Sequence, residues 1–194
     1  MANVTSQLAK PPIQPFVLPG RYSWADFQTL EGIIRQDSKL RITYLDGVIE
    51  LMPTGEEHES IKSMLGFLIE FYFFKQGIEF IPVGSATQAS ETEAVSFEPD
   101  ESYYLGAKKE HPDLAIEVNI TSGGPEKLEK YQRLEIQEVW MWSDQRISIY
   151  SLEGNGYTTC TRSRLLPNLD IGLLELCVIL PSRLEAIKSF SGDN

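Results

Sequence analysis

A short apolar stretch that carries two carboxylates, residues 111–122, constrains the fold more than any other part of the sequence. Leu114, Ile116, Val118 and Ile120 recur at every second position, and Asp113, Ala115, Glu117 and Asn119 fill the positions between them. Alternation with a period of two predicts a β-strand. A carboxylate in mid-strand loses hydration, so either a cation compensates for the loss or that face lies in water. The pattern alone leaves both alternatives open.

The segment before this strand supplies another carboxylate. Residues 97–105 predict a second strand, and residues 106–110 predict a polar turn between the two. In an antiparallel hairpin, the register that pairs Leu105 with Pro112 also places Asp100 opposite Glu117. Neighbouring strands lie roughly 4.8 Å apart, so these two carboxylates can share one cation. Asp113 shares the face of Glu117 but lies roughly 13 Å along the strand, which is too far to bind the same ion.

The remaining sequence mixes helical and strand patterns, which favours the α/β class. Helices are predicted at 23–30, 60–76 and 126–136, strands at 78–82, 138–142, 146–152 and 157–161, and helical turns after 165. Ser23 is placed to cap the first helix, and Asp46-Gly47 within residues 40–52 predicts a hairpin with a type I′ turn. We expect a proline-rich N-terminal arm over residues 1–20 and a single domain over residues 21–190.

Charge restricts the classes of partner. The chain of 194 residues has 17 basic and 28 acidic residues and a net charge of −11. A protein that coats nucleic acid by electrostatic attraction depends on Lys and Arg at phosphates, so the composition argues against that class. It leaves open an enzyme that handles nucleic acid through a local basic surface and bound cations.

Cysteine and histidine usage restricts the chemistry and the compartment. Cys160 and Cys177 lie far apart without the spacing of metal ligands, so we expect no disulfide framework and a reducing cytoplasm. His58 and His111 are the only histidines, which excludes a His-rich zinc site and leaves hard cations bound through oxygen. No apolar run approaches a membrane span, and the start of the chain lacks the order of a signal peptide.

These observations converge on one candidate site, formed by Asp100, Glu117, Asn119 and Lys127, with His58 and Glu50 as further candidates. Phosphodiester hydrolysis needs a cation that polarises the phosphoryl group and activates water. Oxygen ligands suit Mg²⁺ or Mn²⁺, which bind one or two carboxylates together with waters and the substrate phosphate. A nearby ammonium group can offset charge in the transition state.

Four stretches resemble the Uma2 (DUF820) family of proposed endonucleases, which is placed in the PD-(D/E)XK restriction-endonuclease-like superfamily and is abundant in cyanobacteria. They are Tyr44–Pro53 with the later His58, Glu98–Tyr104, Pro112–Ser122, and Lys127–Tyr131 continuing to Glu138-Val-Trp140. The resemblance covers about residues 22–180 and is most specific over residues 98–142.

The resemblance implies a restriction-endonuclease-like fold, in which helices flank a mixed, mainly antiparallel curved sheet. It also implies cleavage of DNA with Mg²⁺ or Mn²⁺. Asp100 resembles the family's first metal-binding Asp, and Glu117 resembles the acid of the (D/E)XK half-motif. The lysine position of that half-motif is Asn119 here. In this family the basic residue comes from the following helix, where Lys127 stands at the matching place and Lys130 is the alternative.

Structural interpretations compete with these assignments. His58 reads equally as a surface histidine at a helix start, Glu50 as a solvated hairpin residue, and Asp113 as an acid that fixes the beginning of its strand by hydrogen bonds. A non-catalytic module that binds nucleic acid or protein on the same fold is the alternative function. The very apolar helix 60–76 also suggests a homodimer.

Overall fold

The computed structural model describes residues 15–36, 40–119 and 127–192. In chain order the elements are β1 (Phe16–Val17), α1 (Trp24–Ile34), β2 (Leu40–Leu45), β3 (Val48–Pro53), α2 (Glu56–Gln76), β4 (Phe80–Pro82), β5 (Gln88–Ser90), β6 (Val95–Phe97), β7 (Glu101–Leu105), β8 (Leu114–Val118), α3 (Leu128–Arg133), β9 (Glu138–Ser143), β10 (Arg146–Glu153), β11 (Gly156–Cys160), α4 (Ile171–Val178) and α5 (Arg183–Ser191).

Helices flank two mostly antiparallel sheets, which confirms the predicted mixed α/β class. The strands divide between two sheets where the sequence indicated one. A five-stranded sheet has the order β1-β3-β2-β6-β5, and a six-stranded sheet has the order β11-β10-β9-β8-β7-β4. The parallel pair is β8 with β9, and the other pairs are antiparallel.

Local signals placed the first part of the chain correctly. Ser23 and Asp26 form a capping box at the start of α1, which continues to Ile34 rather than ending at residue 30. Asp46 and Gly47 have φ values of 48° and 82°, so the predicted tight turn between β2 and β3 is confirmed. One face of this hairpin packs against Phe27 of α1.

Helix α2 begins at Glu56, four residues before the predicted start, and places His58 in its first turn. Three glutamates in that turn interact favourably with the positive end of the helix dipole. Much of the apolar surface of α2 is buried in the core of this chain, where its side chains pack against β8. Phe74, near its C-terminus, is 80% exposed.

The predicted strand 97–105 is two strands that belong to different sheets. β6 pairs with β2 and β5, whereas β7 pairs with β4 and β8. Pro99 lies in the link between them, and proline removes a backbone donor from a ladder. Residues 98–100 therefore carry the chain from one sheet to the other, and Asp100 lies at that junction.

The register predicted for the hairpin around residue 108 is confirmed. Glu101 lies opposite Ile116, and Tyr103 lies opposite Leu114. The N–H of Asp100 donates to the carbonyl of Ile116 at 3.0 Å, so the pairing continues past the end of β7. The same register sets Asp100 opposite Glu117.

Strand β8 is covered on both faces, which explains why its alternation is only partly amphipathic. Leu114, Ile116 and Val118 contribute to the core beside α2, whereas Ala115 belongs to a second cluster with Leu128 of α3. The predicted strand ends at Ser122, but residues 120–126 lie outside the described residues. They include the end of that strand, the whole predicted turn at 121–125 and the first residue of the predicted helix. Helix α3 ends at Arg133 rather than 136, because Glu135 has a positive φ of 51°.

Most of the predicted N-terminal arm, residues 1–14, lies outside the described residues. Residues 16–17 pair with β3 at the edge of the five-stranded sheet. Within the described residues, no helix is long and apolar enough to cross a membrane.

Candidate functional site

Asp100 is held at the junction of the two sheets by three donors. Its side chain is 1% exposed. Its Oδ2 accepts the backbone N–H of Val118 at 2.6 Å and lies 3.0 Å from Nε2 of His58. Its Oδ1 accepts a hydrogen bond from Nη1 of Arg41. The carboxylate is therefore bonded from both sheets and from α2.

These contacts outweigh the effect of burial on ionisation. Burial raises the pKa of Asp100, but the hydrogen bond from His58 and the charge of Arg41 together lower that pKa to about 2. Burial lowers the pKa of His58, but the hydrogen bond to Asp100 and the negative charges of Asp100 and Glu59 together raise it by more, so the pKa of His58 lies above its usual value. Asp100 is ionised near neutral pH and carries its own cationic partners.

Glu117 lies one strand away and is 5% exposed. Its Oε1 accepts from Nζ of Lys130 at 2.7 Å and from the hydroxyl of Tyr131. The ammonium group of Lys130 lies 4.9 Å from the centroid of the Phe97 ring, which fixes it further. Helix α3 thus presents two consecutive side chains to the carboxylate on β8.

Lys127 and Asn119 form a separate pair beside Glu117. Nζ of Lys127 donates to Oδ1 of Asn119 at 2.8 Å. Asn119 follows β8 directly and is buried. Asn119, at the half-motif position, therefore accepts a hydrogen bond from the ammonium group of Lys127 at the start of α3. Its amide is a neutral partner for Lys127, whereas a carboxylate would be an anionic one.

A cavity of about 380 Å³ opens onto these groups. One wall is the face of β2 and β3 that points away from α1, and it is lined by Arg41, Thr43, Leu45, Val48, Glu50 and Met52. Glu117, Lys127 and Lys130 lie on the opposite wall. The cavity therefore combines apolar surface with four cationic side chains, those of Arg21, Arg41, Lys127 and Lys130, and with five carboxylates, those of Asp46, Glu50, Glu98, Glu117 and Glu129.

A larger open groove of about 990 Å³ lies along the other side of α3. Its lining includes four glutamates, at positions 93, 110, 129 and 135, together with His111. None of the candidate catalytic groups lines this groove. The smaller cavity is the chemically relevant one despite its size.

Asp113 stands apart from the site and ties together the beginning of its strand. Its Oδ2 accepts the N–H of Leu105 at 2.8 Å, and its Oδ1 accepts from Gln137 at 3.1 Å and from Lys109. Three bonds to neighbouring segments match the structural interpretation. The structure therefore brings Asp100, Glu117, Asn119, Lys127, Lys130, His58 and Glu50 together and leaves Asp113 outside.

The donor set fits a hard divalent cation in part. Two carboxylates from paired strands suit Mg²⁺ or Mn²⁺, which take one or two carboxylates and complete their shell with water and phosphate. Among the described residues, no group of three or more His, Cys, Asp or Glu side chains is arranged to hold a metal. A cation that takes Oδ1 of Asp100 displaces Arg41 from that oxygen, whereas Lys130 and Tyr131 both bond Oε1 of Glu117.

Two site residues escaped the sequence analysis. Arg41 alternates with the buried Ile42 on β2, so its direction toward Asp100 follows from the sheet packing and from no local motif. The three-residue spacing of Leu128, Tyr131 and Leu134 predicts that Tyr131 lies on the apolar face of its helix, and its ring does pack on Phe97 at 4.6 Å between centroids. Its hydroxyl reaches Glu117 from the same position, and the signal available was its place one residue after Lys130.

Comparisons with known proteins identify the family of the chain. No curated protein matches the chain. One solved structure, described as "a putative nuclease belonging to DUF820 from Anabaena variabilis ATCC 29413", is 17% identical with a TM-score of 0.48, covering 77% of this chain and 90% of that one. The family model described as "Uma2: Putative restriction endonuclease" matches residues 24–178. Because the match spans most of its length, the chain belongs to the Uma2 family.

Proposed function

We propose that this chain is an endonuclease that hydrolyses phosphodiester bonds in DNA with Mg²⁺ or Mn²⁺. One observation carries the proposal: Asp100 and Glu117 lie opposite each other on paired strands, and lysines of the next helical segment reach Glu117 and Asn119. The description of the family as restriction endonucleases supports the same reaction class.

Each group has a distinct role in this proposal. Asp100 and Glu117 hold the cation, which supplies charge stabilisation at the phosphoryl group when it is bound. Lys127, whose partner is a neutral amide, stabilises negative charge on the phosphate. Asn119 positions Lys127, and Lys130 fixes the orientation of Glu117. His58 acts on Asp100 through its hydrogen bond, and Glu50 lies on the cavity wall.

Nicking of supercoiled plasmid in Mn²⁺ tests the proposal directly. The wild type should convert the plasmid to the open circle, and Glu117→Gln should abolish conversion because a neutral amide binds a divalent cation poorly. Glu110→Gln is the matched control, because Glu110 is an exposed glutamate outside the cavity. A Glu117→Gln variant as active as the wild type would refute the assignment, as would an inert wild type on every form of DNA.

A non-catalytic binding module is the second candidate, and the saturation of Asp100 favours it. Three donors already occupy that carboxylate, two of them cationic side chains when His58 is protonated. Calorimetry separates the two functions. A catalytic site should take up about one Mn²⁺ per chain and lose it in Asp100→Ala, whereas a binding module should show no uptake that depends on Asp100.

We further propose that the chain forms a homodimer in the cytoplasm. Phe74, Leu176 and Leu184 remain largely exposed on α2, α4 and α5 and offer apolar surface for a second copy. Both cysteines are free thiols, which suits a reducing compartment. Sedimentation of the wild type and of Phe74→Glu tests the dimer: the wild type should sediment as a dimer, and a monomeric wild type would rule it out.

A further inference from the structure

We infer that Arg41 couples nucleic-acid binding to metal binding, because its guanidinium group must leave Asp100 before a cation can use that carboxylate. The inference rests on the proposed function, since it assigns a role in the same site. Arg41 belongs to the five-stranded sheet, and no sequence motif pointed to it. Its role follows from what it touches on each side.

On one side Arg41 neutralises Asp100. Nη1 donates to Oδ1 of Asp100, and Nη2 lies 3.6 Å from the carboxylate of Glu59. The remaining oxygen of Asp100 is taken by His58 and by the backbone of Val118. A metal ion at Asp100 therefore competes with a guanidinium group for Oδ1.

On the other side Arg41 faces the cavity. It lines the same space as Glu117, Lys127 and Lys130, although its side chain is only 16% exposed. A planar guanidinium group matches the oxygens of a phosphate with two parallel hydrogen bonds. A phosphodiester that enters the cavity thus offers Arg41 an anionic partner other than Asp100 and Glu59, on the wall that faces Lys127.

The partners of Lys127 and Lys130 indicate that Arg41 is the cation that has to change partners when a phosphate enters. Lys130 is bonded to Glu117, whereas Lys127 is bonded to the neutral Asn119. Among the described residues Lys127 pairs with no carboxylate, so it can meet a phosphate without leaving one behind, whereas Arg41 can meet it only by releasing Asp100. When Arg41 moves to the phosphate, the released carboxylate becomes a ligand for the divalent cation. Substrate and metal should therefore bind with positive cooperativity.

Linkage makes the coupling measurable from either side. If an oligonucleotide raises the affinity for Mn²⁺ by some factor, Mn²⁺ raises the affinity for the oligonucleotide by the same factor. Coupling between two sites typically amounts to a factor of about 5 to 150. Such coupling requires an element with two states whose equilibrium both ligands shift in the same direction. The Arg41–Asp100 ion pair, which is either closed or open, is that element.

Calorimetric titration of the full chain with Mn²⁺, with and without a saturating oligodeoxynucleotide, tests the inference. Ca²⁺ replaces Mn²⁺ if the strand is cut during the titration. The wild type should bind the metal at least about 5-fold more tightly when the oligonucleotide is present. Arg41→Gln should bind Mn²⁺ more tightly than the wild type in its absence, and the ratio between the two conditions should fall to about one.

Arg21→Gln is the matched control, because Arg21 lines the same cavity but donates to the backbone carbonyl of Asp46. It removes the same charge and should keep the coupling. Arg41→Lys keeps Asp100 paired with a cation, so it serves as a second variant in case Arg41→Gln does not fold. It should fold and bind the oligonucleotide less tightly than the wild type, because an ammonium group lacks the two-pronged geometry.

The outcomes separate this inference from the proposed function. Equal Mn²⁺ affinity with and without the oligonucleotide in the wild type would overturn the coupling, even if the protein nicks DNA. Equal loss of coupling in Arg21→Gln and Arg41→Gln would also overturn it, because the effect would then be one of general charge. Coupling that disappears only in the Arg41 variants supports the inference, even if no cleavage is detected.

Discussion

The buried carboxylate of Glu138 allows a prediction of stability that is independent of any catalytic role. Glu138 is completely buried on β9, beside the strand that carries Glu117. Its Oε1 accepts from Nε1 of Trp140 at 2.6 Å and from the hydroxyl of Ser163, and its Oε2 accepts from Ser151 at 3.1 Å and from the N–H of Arg164 at 2.8 Å. Four donors converge on one side chain.

Replacement of Glu138 by Gln keeps the size of the side chain but turns one acceptor into a donor. The hydroxyl groups of Ser151 and Ser163 can rotate, whereas the N–H groups of Trp140 and Arg164 cannot. Either orientation of the amide therefore leaves one fixed N–H facing an NH₂ group. An unsatisfied buried donor costs about 1–3 kcal/mol, and the other bonds lose the strength that comes from an ionised acceptor. We expect Glu138→Gln to lower the free energy of unfolding by about 2–4 kcal/mol.

Urea unfolding followed by circular dichroism measures this loss, provided that the dependence of the free energy on urea stays unchanged. Ser151→Ala is the graded control, since it removes one donor from the same carboxylate and should cost about 1 kcal/mol. The reasoning fails if Glu138→Gln lies within about 0.5 kcal/mol of the wild type, which is the usual range for an inconsequential surface change.

Two further predictions concern charge pairs. Arg133 donates to both carboxylate oxygens of Asp46, at 3.0 and 2.6 Å, and this hydrogen bonding lowers the pKa of Asp46. Arg133 also bonds Glu129 and the carbonyl of Glu93. Because the folded-state pKa of Asp46 is depressed, Arg133→Gln should cost at most about 1 kcal/mol above about pH 4, and the difference from the wild type in urea midpoint should shrink as the pH falls through the folded pKa of Asp46. In nicking assays, Lys127→Met should slow turnover by about 100-fold without loss of stability. Lys130→Met should instead lower the free energy of unfolding, because it leaves Glu117 buried without a cation. Full activity in Lys127→Met would give the charge-stabilising role to Lys130.

The parts of the site that could be predicted are those that depend on neighbouring residues in the chain. The register that sets Asp100 opposite Glu117 follows from the length of one turn, and the structure has the same register. The break at Pro99 was missed, although residues 98–102 are Glu-Pro-Asp-Glu-Ser and proline removes a ladder donor there. The alternation of apolar and polar residues along a strand indicates which side chains share a face. It does not indicate which sheet the strand belongs to.

Arg41 marks the limit of this kind of prediction. It lies 59 residues from Asp100 in the sequence, and the pair forms only because residues 98–100 carry the chain from one sheet to the other. Tyr131 reaches Glu117 across a similar non-local contact between α3 and β8. Such partners are required once a carboxylate is buried, since an unpaired buried charge is strongly destabilising. The sequence therefore predicts that partners exist and leaves their identity to the tertiary packing.

The same packing explains how a chain with a net charge of −11 can offer a surface to a polyanion. Arg41 comes from β2, Lys127 and Lys130 come from the segment of α3, and all three line one cavity. Two of the three are engaged with carboxylates, so the local field becomes positive only when those carboxylates acquire another partner. A divalent cation is such a partner, and it adds positive charge of its own. Attraction for a phosphate in this cavity should therefore grow with the occupancy of Asp100 and Glu117, whatever the charge of the remaining surface.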